Sequence, residues 1–333
     1  MRQGAPHGRP AGDLGVIAVT HANQAPGLPA GAPSIDAMIA RERRHERKRF
    51  WVAFAFMAPA VIFVTVFLLL PVVFNVYASF TGWEKFSGLG TFVGVRNYET
   101  LAANPKFLDA TINTTIWLIT SFILPAALGL TLALLIKGVV GEETFKSIFF
   151  LPRMFSATAV GVIWYYVYAN EGIVNSGLRG LGLGSLASRW LYEDGLATPA
   201  MIVTHLWQQV GLMMVLLLLG LNALPTEPIE AAKVDGASRW QVFRHIILPL
   251  LLPTLLVVIT ISVLAGFTSF DLVWVMGRDF PNRSTLTLAV NQYWESFRAG
   301  HWAYGAAIAV VLGIIAMAIS WVLGALQQRV DKR

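Results

Sequence analysis

The feature that most constrains this chain is a series of long apolar stretches. A helix needs about 20 mainly apolar residues to cross the roughly 30 Å of hydrocarbon in a bilayer. Six segments meet this requirement: residues 51–76, 112–136, 145–169, 199–221, 250–275 and 304–326. Lipid offers the backbone no hydrogen-bond partner, so apolar spans of this length are helical. The sequence therefore predicts an all-α integral membrane protein with six transmembrane helices.

Charge is scarce in this chain and is confined to short islands between the apolar stretches. Of the 333 residues, 56% are hydrophobic and 13% are charged, whereas soluble domains carry about 25% charged residues. This segregation excludes a soluble domain with a large core. The sequence contains no cysteine, which excludes disulfides and thiolate chemistry.

The stretch before the first span divides into two parts. Residues 1–40 are rich in Gly, Pro and Ala and lack hydrophobic periodicity, which predicts a disordered tail. Residues 41–50, RERRHERKRF, hold six Lys or Arg directly before an apolar run. That position favours an anchor that orients the first span over a nucleic-acid site. The six spans then occupy residues 51–328, and a short tail follows at 329–333.

The distribution of positive charge predicts which side of the membrane each loop faces. An even number of spans places both termini on one side. If that side is the cytoplasm, its segments hold 14 Lys and Arg in 54 residues, against 8 in 92 for the opposite loops. Cytoplasmic loops are enriched in Lys and Arg. We therefore expect both termini, and the loop between the fourth and fifth spans, to face the cytoplasm.

That loop, residues 226–249, contains the polar stretch EAAKVDGASRWQVFRHIILP. Thr226 is a favourable N-cap for a first short helix. Gly236 accommodates the positive φ that ends a helix. Ser238, followed three residues later by Gln241, predicts a capping box for a second helix. The pattern indicates a helix, a glycine turn and another helix at the membrane surface.

The spacing of this loop resembles a known motif. It reads E-A-A, three residues, G, nine residues and then I-x-L-P, at Glu230, Ala231, Ala232, Gly236, Ile246, Leu248 and Pro249. This matches the EAA loop of the permease subunits of bacterial ATP-binding-cassette (ABC) importers. Residues 149–168, 221–238 and 267–276 resemble the sugar-permease branch, of the maltose and trehalose type. The turn at 277–282, GRDFPN, departs from the Gly-Gly-Pro turn of many members.

The resemblance implies a type I ABC importer permease fold and alternating access. The first helix of the EAA loop would be a coupling helix that docks on an ATPase subunit through Glu230, Ala231, Ala232, Asp235 and Gly236. The implied partners are a second permease subunit in a heterodimer, two ATPase subunits that bind ATP and Mg, an extracytoplasmic solute-binding protein and membrane lipid. This chain carries no phosphate-binding loop of the G-x-x-x-x-G-K-[ST] type, so we expect a transporter subunit without cofactors rather than an enzyme.

Polar residues within the spans are the candidates for a solute site, because such residues are costly in a bilayer. The resemblance to the maltose-type permease places substrate contacts on the third, fourth and fifth spans. The candidates are Arg153, Ser156, His205, Trp207, Gln208, Gln209, Ser262 and Ser269. A sugar site needs amide and hydroxyl groups beside an aromatic ring, which favours Trp207 with the two glutamines. The alternative is that these residues only join helix to helix.

The nature of the solute stays open at this point. A disaccharide such as trehalose or maltose is favoured by the resemblance. Glycerol-3-phosphate is an alternative, with Arg153 facing the phosphate. A secondary carrier driven by an ion gradient is a second alternative, although such carriers usually contain internal repeats. A membrane enzyme acting on lipid-linked sugars is a third, with Glu193 and Asp194 as its acidic pair.

Overall fold

The computed structural model describes residues 35–267, 269–277 and 284–331. Within these ranges the chain is helical, without a β-strand. Its α-helices are α1 (Ile35–Val64), α2 (Leu70–Ala78), α3 (Arg96–Ala103), α4 (Pro105–Ile136), α5 (Glu142–Phe150), α6 (Ala157–Val167), α7 (Ile173–Gly180), α8 (Ala197–Asn222), α9 (Glu227–Val234), α10 (Arg239–Val242), α11 (Leu248–Phe267), α12 (Phe270–Met276), α13 (Leu288–Tyr293) and α14 (Trp302–Asp331). Short π-helical segments follow α1, α10 and α13.

Five helical segments of the described chain are long and apolar enough to cross a membrane. They are Trp51–Ala78, Pro105–Ile136, Ala197–Asn222, Arg239–Phe267 and Trp302–Val330. A bent pair, Glu142–Met154 and Ala157–Val167, gives a sixth crossing if its two parts count as one span. The all-α membrane fold predicted from the sequence is therefore confirmed, and the spans begin or end up to about a dozen residues from the hydropathy boundaries.

The third predicted span, residues 145–169, is not one straight helix. Its two parts meet at an angle of 97°. Pro152 lies in a single 3-10 turn after α5, and Phe155 then adopts an extended backbone with ψ 144°. Ser156 starts α6 as its N-cap, because its hydroxyl accepts the N–H of Ala159. Hydropathy identifies the apolar segment but is insensitive to such a break.

The fifth predicted span, residues 250–275, also differs from the structure. The helical run begins earlier, at Arg239, and α11 ends at Phe267. The last residues of the predicted span form the separate short helix α12. Ser269 occupies the N-cap position of α12, so a new helix starts within the apolar stretch.

The chain divides into two compact units, residues 1–69 and 70–333. In the first unit, residues 1–34 of the expected tail lie outside the described residues. Residues 35–40 belong to α1, so helix replaces irregular chain there. Ala37, Met38 and Ala40 have high helix propensity and favour this extension of α1.

In the second unit, α4 and α8 pack along each other and form the centre of the core. Their close approach depends on Gly129, because a β-carbon there would lie 2.8 Å from the β-carbon of Met213. Met213, Met214 and Leu217 of α8 are fully buried in a cluster that α4 and α11 complete. A second cluster surrounds Trp117 and includes residues of α6, α12, α13 and α14. This packing fixes the polar face of α8 between its neighbours.

Candidate functional site

A cavity of about 410 Å³ lies beside the bend between α5 and α6. The bend supplies Arg153, Phe155, Ser156 and Ala157 to its wall, and α8 supplies His205, Gln208 and Gln209. The remaining wall consists of Ile261, Leu264 and Ala265 of α11 together with Ser269 and Leu272 at α12. Six of the eight residues predicted to contact a solute therefore come together in one place.

Three polar side chains of α8 face this cavity because of their spacing. His205, Gln208 and Gln209 lie at positions i, i+3 and i+4, which share one face of a helix. Gln208 donates its side-chain N–H to the carbonyl oxygen of Phe155 at 2.9 Å and so holds the bend against α8. A β-carbon at Gly211 would overlap the carbonyl oxygen of Phe149, so glycine permits this close contact.

Two buried polar atoms in the wall have no hydrogen-bond partner among the described residues. They are Nε2 of His205 and Oε1 of Gln209, and both side chains are more than nine-tenths buried. The imidazole of His205 packs edge-on against Trp117 of α4, with ring centroids 5.5 Å apart. A buried polar atom without a partner costs about 1–3 kcal/mol. Both groups are thus available to a polar solute in the cavity.

Arg153 is the one residue of the cavity wall that carries a full charge, within the described chain. Its side chain is exposed, and it forms no hydrogen bond or ion pair with the described residues. The described residues of the wall include no carboxylate. Ser156, the N-cap of α6, lies at the positive end of that helix dipole. This part of the cavity is therefore electropositive.

Three further candidates differ in where they lie relative to the cavity: Ser269, Ser262 and Trp207. Ser269 lines the cavity while its hydroxyl donates to the carbonyl oxygen of Gly266 at 2.7 Å. Ser262 is fully buried away from the cavity, where its hydroxyl contacts the sulfur of Met213 at 3.2 Å and joins α11 to α8. Trp207 also lies outside the cavity wall and packs edge-on against Trp164 of α6, with centroids 5.7 Å apart.

Hydropathy alone does not select the apolar part of the wall. Phe155, Ile261, Leu264 and Leu272 lie in apolar stretches where many similar residues face lipid or the core. Phe155 provides the aromatic ring at the cavity that the sequence interpretation assigned to Trp207. Its position directly after the Leu-Pro-Arg-Met turn was the available signal.

The EAA loop, residues 226–249, has the helix–turn–helix form expected from its sequence. Gly236 has φ +81°, and its N–H donates to the carbonyl of Lys233 while Ala237 N–H donates to that of Ala232. These two bonds complete the C-terminus of α9. Ser238 and Gln241 form both bonds of the capping box that starts α10. Thr226 occupies the N-cap position, but its hydroxyl makes no capping bond because its backbone is helical.

The EAA loop presents an exposed surface. Glu230, Ala231, Asp235 and Gly236 are exposed and Ala232 is half-buried. Beside them Val234 is 87% exposed. A β-carbon at Gly236 would meet no atom within 4 Å. The loop thus offers small and acidic residues around an apolar side chain without steric obstruction.

The EAA loop and the cavity are joined by two helices. The loop begins directly after α8 and continues through α10 and a π-helical segment into α11. Gln209 lies 13 residues before the end of α8, which corresponds to about 20 Å at 1.5 Å per residue. Lys137 at the end of α4 donates to the carbonyl of Leu221 at 2.6 Å and so fixes that end of α8. The loop is therefore linked to the cavity wall through α8 and α11.

Glu193, the first residue of the acidic pair Glu193–Asp194, lacks the features of a general acid. It lies in the loop before α8, where the Ser188 hydroxyl and the backbone N–H of Arg189 donate to it. These bonds lower the pKa of Glu193. A general acid at neutral pH needs a raised pKa. Glu193 therefore gives no support to an enzyme acting at this face.

Comparison with known proteins identifies the family. The sequence profile of the binding-protein-dependent transport system inner membrane component matches residues 37–333. The osmoprotective compounds uptake permease protein GgtC of Synechocystis sp. is 34% identical over 265 residues, 77% of this chain and 92% of GgtC. The arabinooligosaccharides transport system permease protein AraP of Bacillus subtilis is 33% identical over 273 residues, 80% of this chain and 85% of AraP.

The fold also matches a solved structure. A subunit of a bacterial ABC transporter involved in the import of the acidic polysaccharide alginate superposes with a TM-score of 0.75 at 22% identity. The superposition covers 86% of this chain and 99% of the other. Together with the profile match over most of the chain, these findings show that the protein belongs to the binding-protein-dependent transport system inner membrane components, the permease subunits of ABC importers.

Proposed function

We propose that this permease subunit translocates a carbohydrate across the cytoplasmic membrane, and that a disaccharide such as trehalose or maltose fits its cavity. The observation that carries the proposal is the polar cavity whose wall is built on α8 and α11, the two helices that flank the exposed EAA loop. The proposed solute site and the proposed docking site for an ATPase subunit are thereby connected within a single chain.

The chemistry of the cavity suits a sugar. Gln209 and His205 offer hydrogen-bonding groups without a partner in the described chain, and Ser156 and Ser269 add hydroxyls. Phe155 supplies an aromatic face. The volume of about 410 Å³ lies in the range of small-molecule sites. The relatives MsmF, a multiple sugar-binding transport system permease protein, and AraP, for arabinooligosaccharides, support a carbohydrate solute.

The proposed assembly contains a second permease subunit in a heterodimer, two ATPase subunits and an extracytoplasmic solute-binding protein. The termini and the EAA loop face the cytoplasm, as the excess of Lys and Arg on that side favours. ATP and Mg bind to the ATPase subunits. ATP-driven closure of those subunits moves Glu230, Ala231, Ala232, Asp235 and Gly236, and the cavity then alternates between the two sides of the membrane.

Reconstitution of the complete transporter tests this function. Proteoliposomes that contain both permeases, the ATPases and the binding protein should accumulate labelled disaccharide only with ATP on the ATPase side. Uptake should continue after an ionophore has abolished all ion gradients. Uptake that depends on an ion gradient and not on ATP would instead establish a secondary carrier.

A second candidate solute is an anionic one such as glycerol-3-phosphate. The observation that favours it is Arg153, an exposed cation in a cavity wall without a carboxylate among the described residues. A hydrogen bond to a charged group contributes about 1.5–3 kcal/mol, so Arg153→Gln should reduce uptake of an anionic solute by about tenfold or more. Uptake in competition between maltose and glycerol-3-phosphate is measured with the parent protein and with Arg153→Gln. This comparison distinguishes the candidates, since uptake of a neutral sugar should tolerate the substitution.

A further inference from the structure

Residues 79–95, between α2 and α3, form a short hairpin, named here the aromatic hairpin. Its two arms are joined by the isolated bridges Thr81↔Phe92 and Glu84↔Gly88. The carbonyl oxygen of Trp83 accepts the N–H of Ala303 at 3.0 Å, which ties the hairpin to the first turn of α14. The hairpin therefore has a fixed position at one end of the bundle.

That end of the bundle carries a continuous row of aromatic rings. Trp83 packs edge-on against Phe74 of α2 and stacks on Trp302 of α14, with centroids 5.9 and 5.6 Å apart. Trp302 contacts Phe297, which contacts Tyr293, at 5.2 Å in each case. The spans Trp51–Ala78 and Trp302–Val330 end and begin at this level. Aromatic rows at the ends of spans mark the boundary between lipid and water.

The aromatic hairpin exposes apolar side chains along its length. Phe86 near its tip is 93% exposed, and Phe92 on its second arm is 70% exposed although its ring stacks on Phe80 at 6.3 Å. Leu89 and Val95 are also exposed. Lys85 places its ammonium group 5.5 Å from the centre of the Phe86 ring. An exposed apolar cluster of this kind marks a site of interaction. Rings next to a lysine are the composition that favours the headgroup region of a bilayer.

We propose that the aromatic hairpin inserts Phe86 and Phe92 into the lipid headgroup region around the ends of α2 and α14. The lipid-exposed surface of α2, with Val73 and Phe74, continues through Trp83 into the hairpin, so lipid is the partner already adjacent to these rings. Lys85 is then within reach of lipid phosphates. The hairpin anchors this end of the bundle at a fixed depth, a role separate from solute transport.

Spin labelling measures the depth directly, because the chain contains no native cysteine. Phe86→Cys, Val73→Cys and Asp194→Cys are prepared one at a time in the complete transporter, labelled and reconstituted in vesicles of phosphatidylethanolamine and phosphatidylglycerol. Val73 lies within a span and serves as the lipid reference, and Asp194 lies in an exposed loop and serves as the aqueous reference. Each label is tested for relaxation by oxygen, which partitions into lipid, and by a water-soluble nickel complex.

The label at Phe86 should be relaxed more by oxygen than by the nickel complex, with a ratio between those of the two references and closer to that of Val73. A ratio equal to that of Asp194 would place the tip in water and overturn the proposal. Protection from both agents, with the solute-binding protein present or absent, would show that protein covers the tip and would also overturn it. Phe92→Cys should repeat the result for Phe86.

Discussion

Replacing Gln209 with leucine is expected to stabilise the fold and impair transport, whereas the same change at the neighbouring Gln208 is expected to destabilise the fold. Both side chains are buried in the wall of the cavity. Gln208 donates to the carbonyl oxygen of Phe155 at 2.9 Å. Oε1 of Gln209 has no partner among the described residues. Leucine has a similar size, so the two substitutions differ mainly in the hydrogen bond that each removes.

The magnitudes follow from the cost of unpaired groups. A buried acceptor without a partner costs about 1–3 kcal/mol, so its removal at Gln209 should raise the free energy of unfolding by about 1 kcal/mol. Removal of the Gln208 bond should lower that free energy by about 1 kcal/mol, because a typical hydrogen bond contributes that much. The two neighbouring variants should therefore differ by about 2 kcal/mol in the free energy of unfolding.

The parent protein, Gln208→Leu and Gln209→Leu are unfolded in mixed detergent micelles by raising the fraction of SDS. Circular dichroism follows the loss of helix and gives the free energy of unfolding of each protein. Uptake of labelled disaccharide into proteoliposomes is measured with the same samples. Loss of one hydrogen bond to a sugar hydroxyl should lower the affinity for solute about threefold to tenfold in Gln209→Leu. The reasoning is refuted if Gln209→Leu unfolds as early as Gln208→Leu, or if it transports solute with unchanged affinity.

Three further predictions concern the EAA loop and the bend. Gly236 has φ +81°, and because a left-handed conformation costs most residues roughly 1–2 kcal/mol, Gly236→Ala should reduce uptake per ATP hydrolysed more than Gly236→Asn. Gly313→Ala, at a helical glycine with open space around it, is the control and should leave that ratio unchanged. Glu230→Arg should abolish uptake while the amount of folded permease in the membrane stays constant, and normal uptake would contradict a docking role. Gly211→Ala should destabilise the fold by about 3 kcal/mol, because the new methyl group overlaps the backbone of Phe149, and Gly177→Ala, with no atom nearby, should unfold like the parent protein.

The EAA loop was predictable because its determinants are local. The capping box of Ser238 and Gln241 and the positive φ of Gly236 each depend on a few adjacent residues, and both are confirmed. Thr226 takes the N-cap position expected on the same grounds, but its side chain makes no capping bond. The backbone before α9 is already helical there, which is a consequence of how the loop leaves α8 and is absent from the local sequence.

The geometry of the cavity was only partly predictable. The shared face of His205, Gln208 and Gln209 follows from helical periodicity, and the same periodicity turns Trp207 about 100° away from Gln208. The bend at Phe155 depends on its bond to Gln208, a contact between residues 53 positions apart. Hydropathy contains no information about such a contact and therefore predicts residues 145–169 as one span without locating the break.

The packing of α8 indicates which helices would move together with the EAA loop. Glycines permit close contact of α8 with three neighbours: Gly129 of α4 lies against Met213, Gly211 lies against the backbone of Phe149 in α5, and Gly220 lies against the side chains of Leu251 and Thr254 in α11. Sliding of α8 alone would force these contacts to overlap, because packed interiors have little free space. We therefore expect α4, α5, α8 and α11 to move as one body.

That body is joined to α6 and α12 through two breaks, and both breaks border the cavity. One lies at Phe155 and Ser156 between α5 and α6, and the other lies between α11 and α12. α6 and α12 pack on each other, with Gly161 against Val275, and form a second body. A rotation at the two breaks changes the distance between Gln209 on one body and Leu272 on the other. On the function proposed above, we therefore expect the interruption of these two apolar spans to let a movement of the EAA loop open or close the cavity while each helix stays intact.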